Sequence, residues 1–146
     1  MKGFDFFTTD YRNYKMSLLK KIFKSTTEER ATNLEWIPLT DLAALEEITA
    51  ISKNETVLIF KHSTRCGVSR IAKRNFENSF DGSESILKAY YLDLLSYRAI
   101  SNEIAASYQV QHQSPQLLVI KSGVAVAHAS HYKIADIDMN AHLTVR

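Results

Sequence analysis

Apolar positions along this chain fall into two alternating rhythms, and the alternation becomes regular from residue 34 onward. Short apolar, β-branched runs lie at residues 34–39, 56–62, 89–93, 115–120 and 124–131. Runs of that length bounded by polar turns read as strands. Between them, apolar residues recur every three or four positions: Leu42, Leu45 and Ile48; then Val68, Ile71, Ala72, Phe76 and Phe80; then Tyr97, Ile100, Ile104 and Tyr108. This spacing predicts three amphipathic helices, each turning the named residues as one face toward a core. Thr40 or Asp41 can cap the first helix, and Asp81-Gly82-Ser83 ends the second. Pro38 confines the first strand to an edge or an end, whereas residues 56–62 are apolar enough to be buried on both faces. Ser122-Gly123 joins the last two strands as a tight antiparallel hairpin, and residues 136–143 close the chain as a short helix. The order β-α-β-α-β-α-β-β-α predicts the α/β class, a parallel-rich sheet covered by helices and edged by a hairpin.

Residues 1–33 do not share this pattern. Residues 1–15 are aromatic and polar without a period, residues 16–24 predict a short basic amphipathic helix, and residues 25–33 read as a linker. Two regions follow, an N-terminal extension over 1–33 and a domain over 34–146. At 146 residues the chain is long enough for one domain with a real core. A formal charge of +2 is too small to argue for nucleic acid. The one cysteine excludes an internal disulfide and any multi-cysteine metal site within one chain. His128 and His131, three apart on one strand, point to opposite faces, so no metal is expected. No apolar run approaches the ~18–20 residues of a membrane span, and the N-terminus lacks an apolar signal core, which makes a reducing cytoplasm the expected location.

That cysteine, Cys66, stands where strand 56–62 has ended, a short polar loop has passed, and a helix should begin. Backbone N–H groups at a helix start have no intrahelical partner and favour negative charge, so a thiol there is disposed toward its reactive thiolate. Lys61, Arg65, Arg70, Lys73 and Arg74 are basic, and no acidic residue lies between residues 61 and 74. Part of that charge can stabilise a thiolate and attract an anionic partner; the alternative for Arg70, Lys73 and Arg74 is a solvated helix face. His62 and His112 flank loops expected to meet at the thiol, and could tune its charge.

A cysteine opening the second helix and an X-Pro opening the penultimate strand make this order similar to the thioredoxin-like fold, a mixed central sheet flanked by helices. Three blocks narrow the likeness: Lys61-His62-Ser63-Thr64-Arg65-Cys66 with Val68-Ser69, then His112-Gln113-Ser114-Pro115-Gln116, then His128-Ala129-Ser130-His131-Tyr132. In this order they resemble the monothiol bacilliredoxins of the thioredoxin-like superfamily, over roughly residues 33–143. One position departs: the family usually carries proline after the cysteine, and here Gly67 stands there. The loop Cys66-Gly67-Val68-Ser69 also resembles that of monothiol glutaredoxins, which bind glutathione or a [2Fe–2S] cluster, but the other blocks of that family are missing.

The resemblance implies a cytoplasmic thiol–disulfide oxidoreductase with Cys66 as nucleophile and bacillithiol, a small thiol bearing a malate group, as co-substrate. Thr64, Arg65, Gly67, Val68, Ser69, Ser114 and Pro115 would bind the substrate, with Ser114-Pro115 as a cis-proline loop. Ser69 occupies the place of the second cysteine of dithiol enzymes. Its hydroxyl can donate to a thiolate one helical turn away, but it cannot attack a mixed disulfide. The implied partners are S-thiolated proteins and a low-molecular-weight thiol. A glutaredoxin-like protein, or a non-catalytic module whose cysteine senses oxidative stress, are the alternatives the residues leave open.

Overall fold

The computed structural model describes residues 34–81 and 85–145. The expected helix at 16–24 and linker at 25–33 lie outside the described residues. The elements are β1 (Trp36–Pro38), α1 (Ala44–Ile51), β2 (Thr56–His62), α2 (Gly67–Ser79), β3 (Ser85–Asp93), α3 (Arg98–Ser107), β4 (Gln116–Lys121), β5 (Val124–Ser130), two 3-10 turns (His131–Asp136 and Met139–Ala141) and β6 (Thr144–Val145). The sheet runs β1-β3-β2-β4-β5, with β6 against the start of β3. β1 and β2 are parallel to β3, while β4 and β5 are antiparallel to their neighbours. This is the mixed α/β sheet expected from the alternation of patterns.

β2 lies between β3 and β4 and is buried along its whole length. Its side chains alternate between two cores. Val57 and Ile59 join Leu118, Ile120, Leu45, Ile48, Ile100 and Ile104 beneath α1 and α3. Leu58 and Phe60 join Leu117, Val119, Ala72, Phe76, Ile134 and Met139 beneath α2 and the 3-10 turns. Each of these side chains larger than Ala72 contributes about 1.5–3 kcal/mol by leaving water. Asp41 Oδ1 accepts the Ala43 N–H at the start of α1 (3.0 Å). Ser122 and Gly123 both take positive φ (52° and 79°), the backbone that a two-residue hairpin turn requires.

Three expectations are corrected. The predicted face of α2 is rotated: Val68 and Ile71 are 55% and 61% exposed, and Ser69, Ala72 and Phe76 face inward. Ala72 and Phe76 do share the buried face, but the residue beside them at the helix start is a serine, for a reason given below. The C-terminal helix at 136–143 is replaced by the second 3-10 turn and its flanks. Ile137 is extended (φ −66°, ψ 120°), and Asp138 Oδ1 takes the Asn140 N–H (3.1 Å), a local bond that competes with helix propagation. β3 also begins at Ser85, four residues before the apolar run at Ala89.

Candidate functional site

The C-terminal ends of β2 and β3 and the start of β4 bring three loops to one end of the sheet. His62 pairs with Asp93, and Lys61 with Gln116. The chain leaving His62 toward Cys66 is therefore flanked by residues 94–96 on one side and Ser114-Pro115 on the other. Cys66 is the N-cap of α2, with extended backbone (φ −99°, ψ 121°), and is partly exposed. Its own N–H donates to Ser63 O (3.0 Å), and its carbonyl accepts the first helical bond from Arg70 (3.3 Å). The thiol is thus fixed at the point where α2 begins, as the sequence predicts.

Beside it opens a cavity of about 490 Å³ lined by Ser63, Thr64, Arg65, Cys66, Asp93, Leu95 and Ser96. Asp93 organises its far wall, accepting from the Leu95 N–H (3.2 Å), Ser96 Oγ (2.8 Å) and Thr64 Oγ1 (3.4 Å). Asp93 and Ser96 were not among the predicted site residues. An aspartate ending a strand with a serine three residues later is the available signal, since aspartate favours such turns. Thr64, Arg65, Gly67 and Val68 are exposed around the thiol.

Ser69 departs from its predicted role. It is fully buried; its Oγ accepts the Ser63 N–H (3.1 Å) and lies 2.6 Å from His62 Nδ1. The His62 bond is satisfied with either tautomer, the hydroxyl donating to a bare Nδ1 or accepting from Nδ1–H. Its hydrogen bonds among the described residues run to the loop and the imidazole, none to Cys66, and it is shielded from substrate. This bond explains the rotated face of α2: the helix turns Ser69 inward to reach the polar end of β2, and Val68 and Ile71 are carried outward.

The two imidazoles also act differently from expectation. Burial, reinforced by the Lys73 charge, holds His62 below the ordinary histidine range, while Asp93 pulls the other way. Its ring rests against Tyr91 (5.3 Å) and Phe60 (6.2 Å). His112 Nδ1 receives Lys61 Nζ (2.8 Å) and stands 3.2 Å from Ser101 Oγ; burial and then the charges of Lys61 and Arg98 hold His112 low as well. Both rings are therefore neutral near pH 7, and their Nδ1 atoms point to Ser69 and Lys61, so neither lends a positive charge to the thiol.

The Ser114–Pro115 bond is cis, and Pro115 O accepts the His131 N–H (3.1 Å). Ser114 Oγ is buried without a hydrogen-bond partner among the described residues. Nor do the described residues hold a cluster of three metal-ligating side chains, and none of their helices is long and apolar enough to cross a membrane. Lys61, read from the sequence as one of the cations near the thiol, is fully buried on the other face of the sheet.

The family model of the monothiol bacilliredoxin BrxC matches residues 37–139. Among solved structures, a thioredoxin-fold protein provisionally described as an oxidoreductase is 28% identical, covering 68% of this chain and 85% of its own at a TM-score of 0.59. Thioredoxin O2 from Arabidopsis thaliana is 16% identical, with 81% and 100% covered and a TM-score of 0.59. The Malassezia sympodialis thioredoxin is 14% identical, with 77% and 94% covered, also at 0.59. The last two likenesses speak for the fold alone, which is that of thioredoxin.

Proposed function

This chain belongs to the monothiol bacilliredoxin family, and we propose on that premise that it removes bacillithiol from S-bacillithiolated proteins through the Cys66 thiolate. A thiol redox role follows from the family and from its oxidoreductase neighbour; the choice of bacillithiol is the finer step. The Cys66 thiolate attacks the bacillithiol sulfur of the mixed disulfide. The new S–S bond forms as the old one breaks, and the protein sulfur leaves as a thiolate that takes a proton from water. A second thiolate then attacks the bacillithiol sulfur held on Cys66, regenerates the Cys66 thiolate and departs as a disulfide. That second thiol supplies the electrons.

One observation carries the need for it. The residue one turn along the helix from Cys66 is a serine, fully buried and bonded to Ser63 and His62, so release of the adduct falls to a thiol from outside. The cavity beside Cys66 has the size of a small-molecule site, and exposed Arg65 on its wall suits a thiol with carboxylates. On this reading the partners are S-thiolated cytoplasmic proteins accumulated during oxidative stress, together with the small thiol.

The test is peptide release from a bacillithiolated peptide. Cys66→Ser is expected to lose all transfer, and the wild type without an added thiol is expected to stop at one equivalent of peptide freed. Transfer by Cys66→Ser, or continued turnover without an added thiol, would overturn the mechanism.

A further inference from the structure

Lys61 is the buried charge that thiol exchange leaves unused. It sits at the middle of the sheet, paired on both sides, with no exposed surface. Its Nζ has two acceptors, Ser101 O on α3 (3.3 Å) and His112 Nδ1 (2.8 Å). An ammonium has no lone pair, so it donates both bonds, and His112 is the neutral tautomer with its proton on Nε2. Burying a cation is costly, and a methionine would fill the same space without that cost. Stability therefore does not account for the lysine; its two bonds do.

What it holds is one side of residues 111–115. Gln116 holds the other side, donating from Nε2 to Gln111 O (2.9 Å) and accepting the Gln113 N–H (3.4 Å), while Ser130 Oγ donates to Gln113 Oε1. Gln116 stands opposite Lys61 in the β2–β4 register, so this segment runs beside the chain that leads from β2 to Cys66. Its backbone is where an extended partner segment can pair next to the thiol.

We propose that Lys61 and His112 are a positioning pair for thiol exchange: the buried ammonium grips the imidazole and so holds residues 111–115 in the shape that docks a partner's cysteine-bearing segment. The inference rests on the thiol-exchange reading above. It acts on docking and not on the thiol, because neither group bonds Cys66 among the described residues. It is also proton-sensitive. Lys61 from β2 and Arg98 from α3 are the charges that act on His112, and protonated Nδ1 can no longer accept from Lys61. Burial and the Lys61 charge keep the ring neutral near pH 7, so the grip holds there and loosens in acid.

The full-chain protein is assayed by steady-state release of a bacillithiolated peptide with bacillithiol as the added thiol, beside the alkylation rate of Cys66 by iodoacetamide. Lys61→Met and His112→Ala are expected to raise the peptide KM about tenfold while kcat and the alkylation rate stay within twofold. The wild-type KM is expected to rise in acid, and His112→Asn, whose amide oxygen can accept from Lys61, is expected to restore KM near pH 7 and to remove that rise. An unmoved KM in both disrupting variants, or a rise in KM accompanied by a fall of more than about twofold in the alkylation rate, would overturn the positioning role alone. No turnover by the wild type would take down the exchange reading and this inference together.

Discussion

β2 ends in two polar side chains that point to opposite faces of the sheet, and the fold treats them differently. His62, facing α2, is neutral; it is walled by Phe60 and Tyr91 and satisfied by the buried Ser69 hydroxyl. Lys61, facing α3, is an ammonium satisfied by a helix carbonyl and a loop imidazole. The first arrangement ties the loop that carries the nucleophile to the helix that starts there. The second ties residues 111–115 to β2 and α3. One strand thereby sets both halves of the site, the α2 side with a neutral bond and the α3 side with a charged one.

The largest expected effect separates the two. Ser69→Ala leaves the Ser63 N–H and His62 Nδ1 unpaired at a buried position, and is expected to cost about 1–3 kcal/mol in urea unfolding. Lys61→Met removes a buried ammonium along with its bonds, and is expected to stay within about 1 kcal/mol of the wild type or to exceed it. Equal losses in the two variants would erase the distinction.

The pH dependence of stability sharpens the same contrast. Both imidazoles are held below their ordinary value of 6.5, so just under that pH the unfolded chain binds more protons than the folded one. Stability therefore falls as pH drops below 6.5. Lys61 is held at about 8 against an ordinary 10.5. Between pH 8 and 10 the folded state again binds fewer protons, and stability is expected to rise with pH by up to about 1.4 kcal/mol per unit. Above 10 Tyr90, Tyr108 and the half-buried Tyr91, all raised from their usual value, oppose it. The alkaline rise, read from urea midpoints, should vanish in Lys61→Met and persist in His62→Gln; a rise surviving in Lys61→Met would assign it elsewhere.

The smallest effect concerns the residue after the thiol. A Cβ added at Gly67 meets nothing within 4 Å, the position is the first of α2, and Cys66 already has the extended backbone that a following proline demands. Gly67→Pro is expected to stabilise by about 0.4–1 kcal/mol through the unfolded state. A loss of stability would contradict this reading of the helix start.

Much of this was legible in the sequence. The buried strand at 56–62, the helix opening at Cys66 and the Ser122-Gly123 hairpin each announce themselves through periodicity or turn chemistry. What misled was side-chain chemistry that overrides pattern. Val68 and Ile71 match the helical spacing of Ala72 and Phe76, yet Ser69 takes the inner position because two polar groups at the end of β2 need its hydroxyl. The strand at 56–62 reads as buried down to Lys61 and His62, but its pattern does not name the partners that satisfy these two polar groups, Ser101 and His112 for one and Ser69 for the other. The 3-10 turns near the C-terminus carry helical spacing, but Asp138 closes a local turn instead.

The central claim is that Cys66 accepts bacillithiol from a protein sulfur. Its most direct test is the intact mass of the protein after mixing with a bacillithiolated peptide, beside a glutathionylated control. The expected result is a prompt mass gain equal to bacillithiol, absent in Cys66→Ser, with free peptide thiol released in equal amount. Transfer from the glutathionylated peptide alone, or from neither, would contradict it.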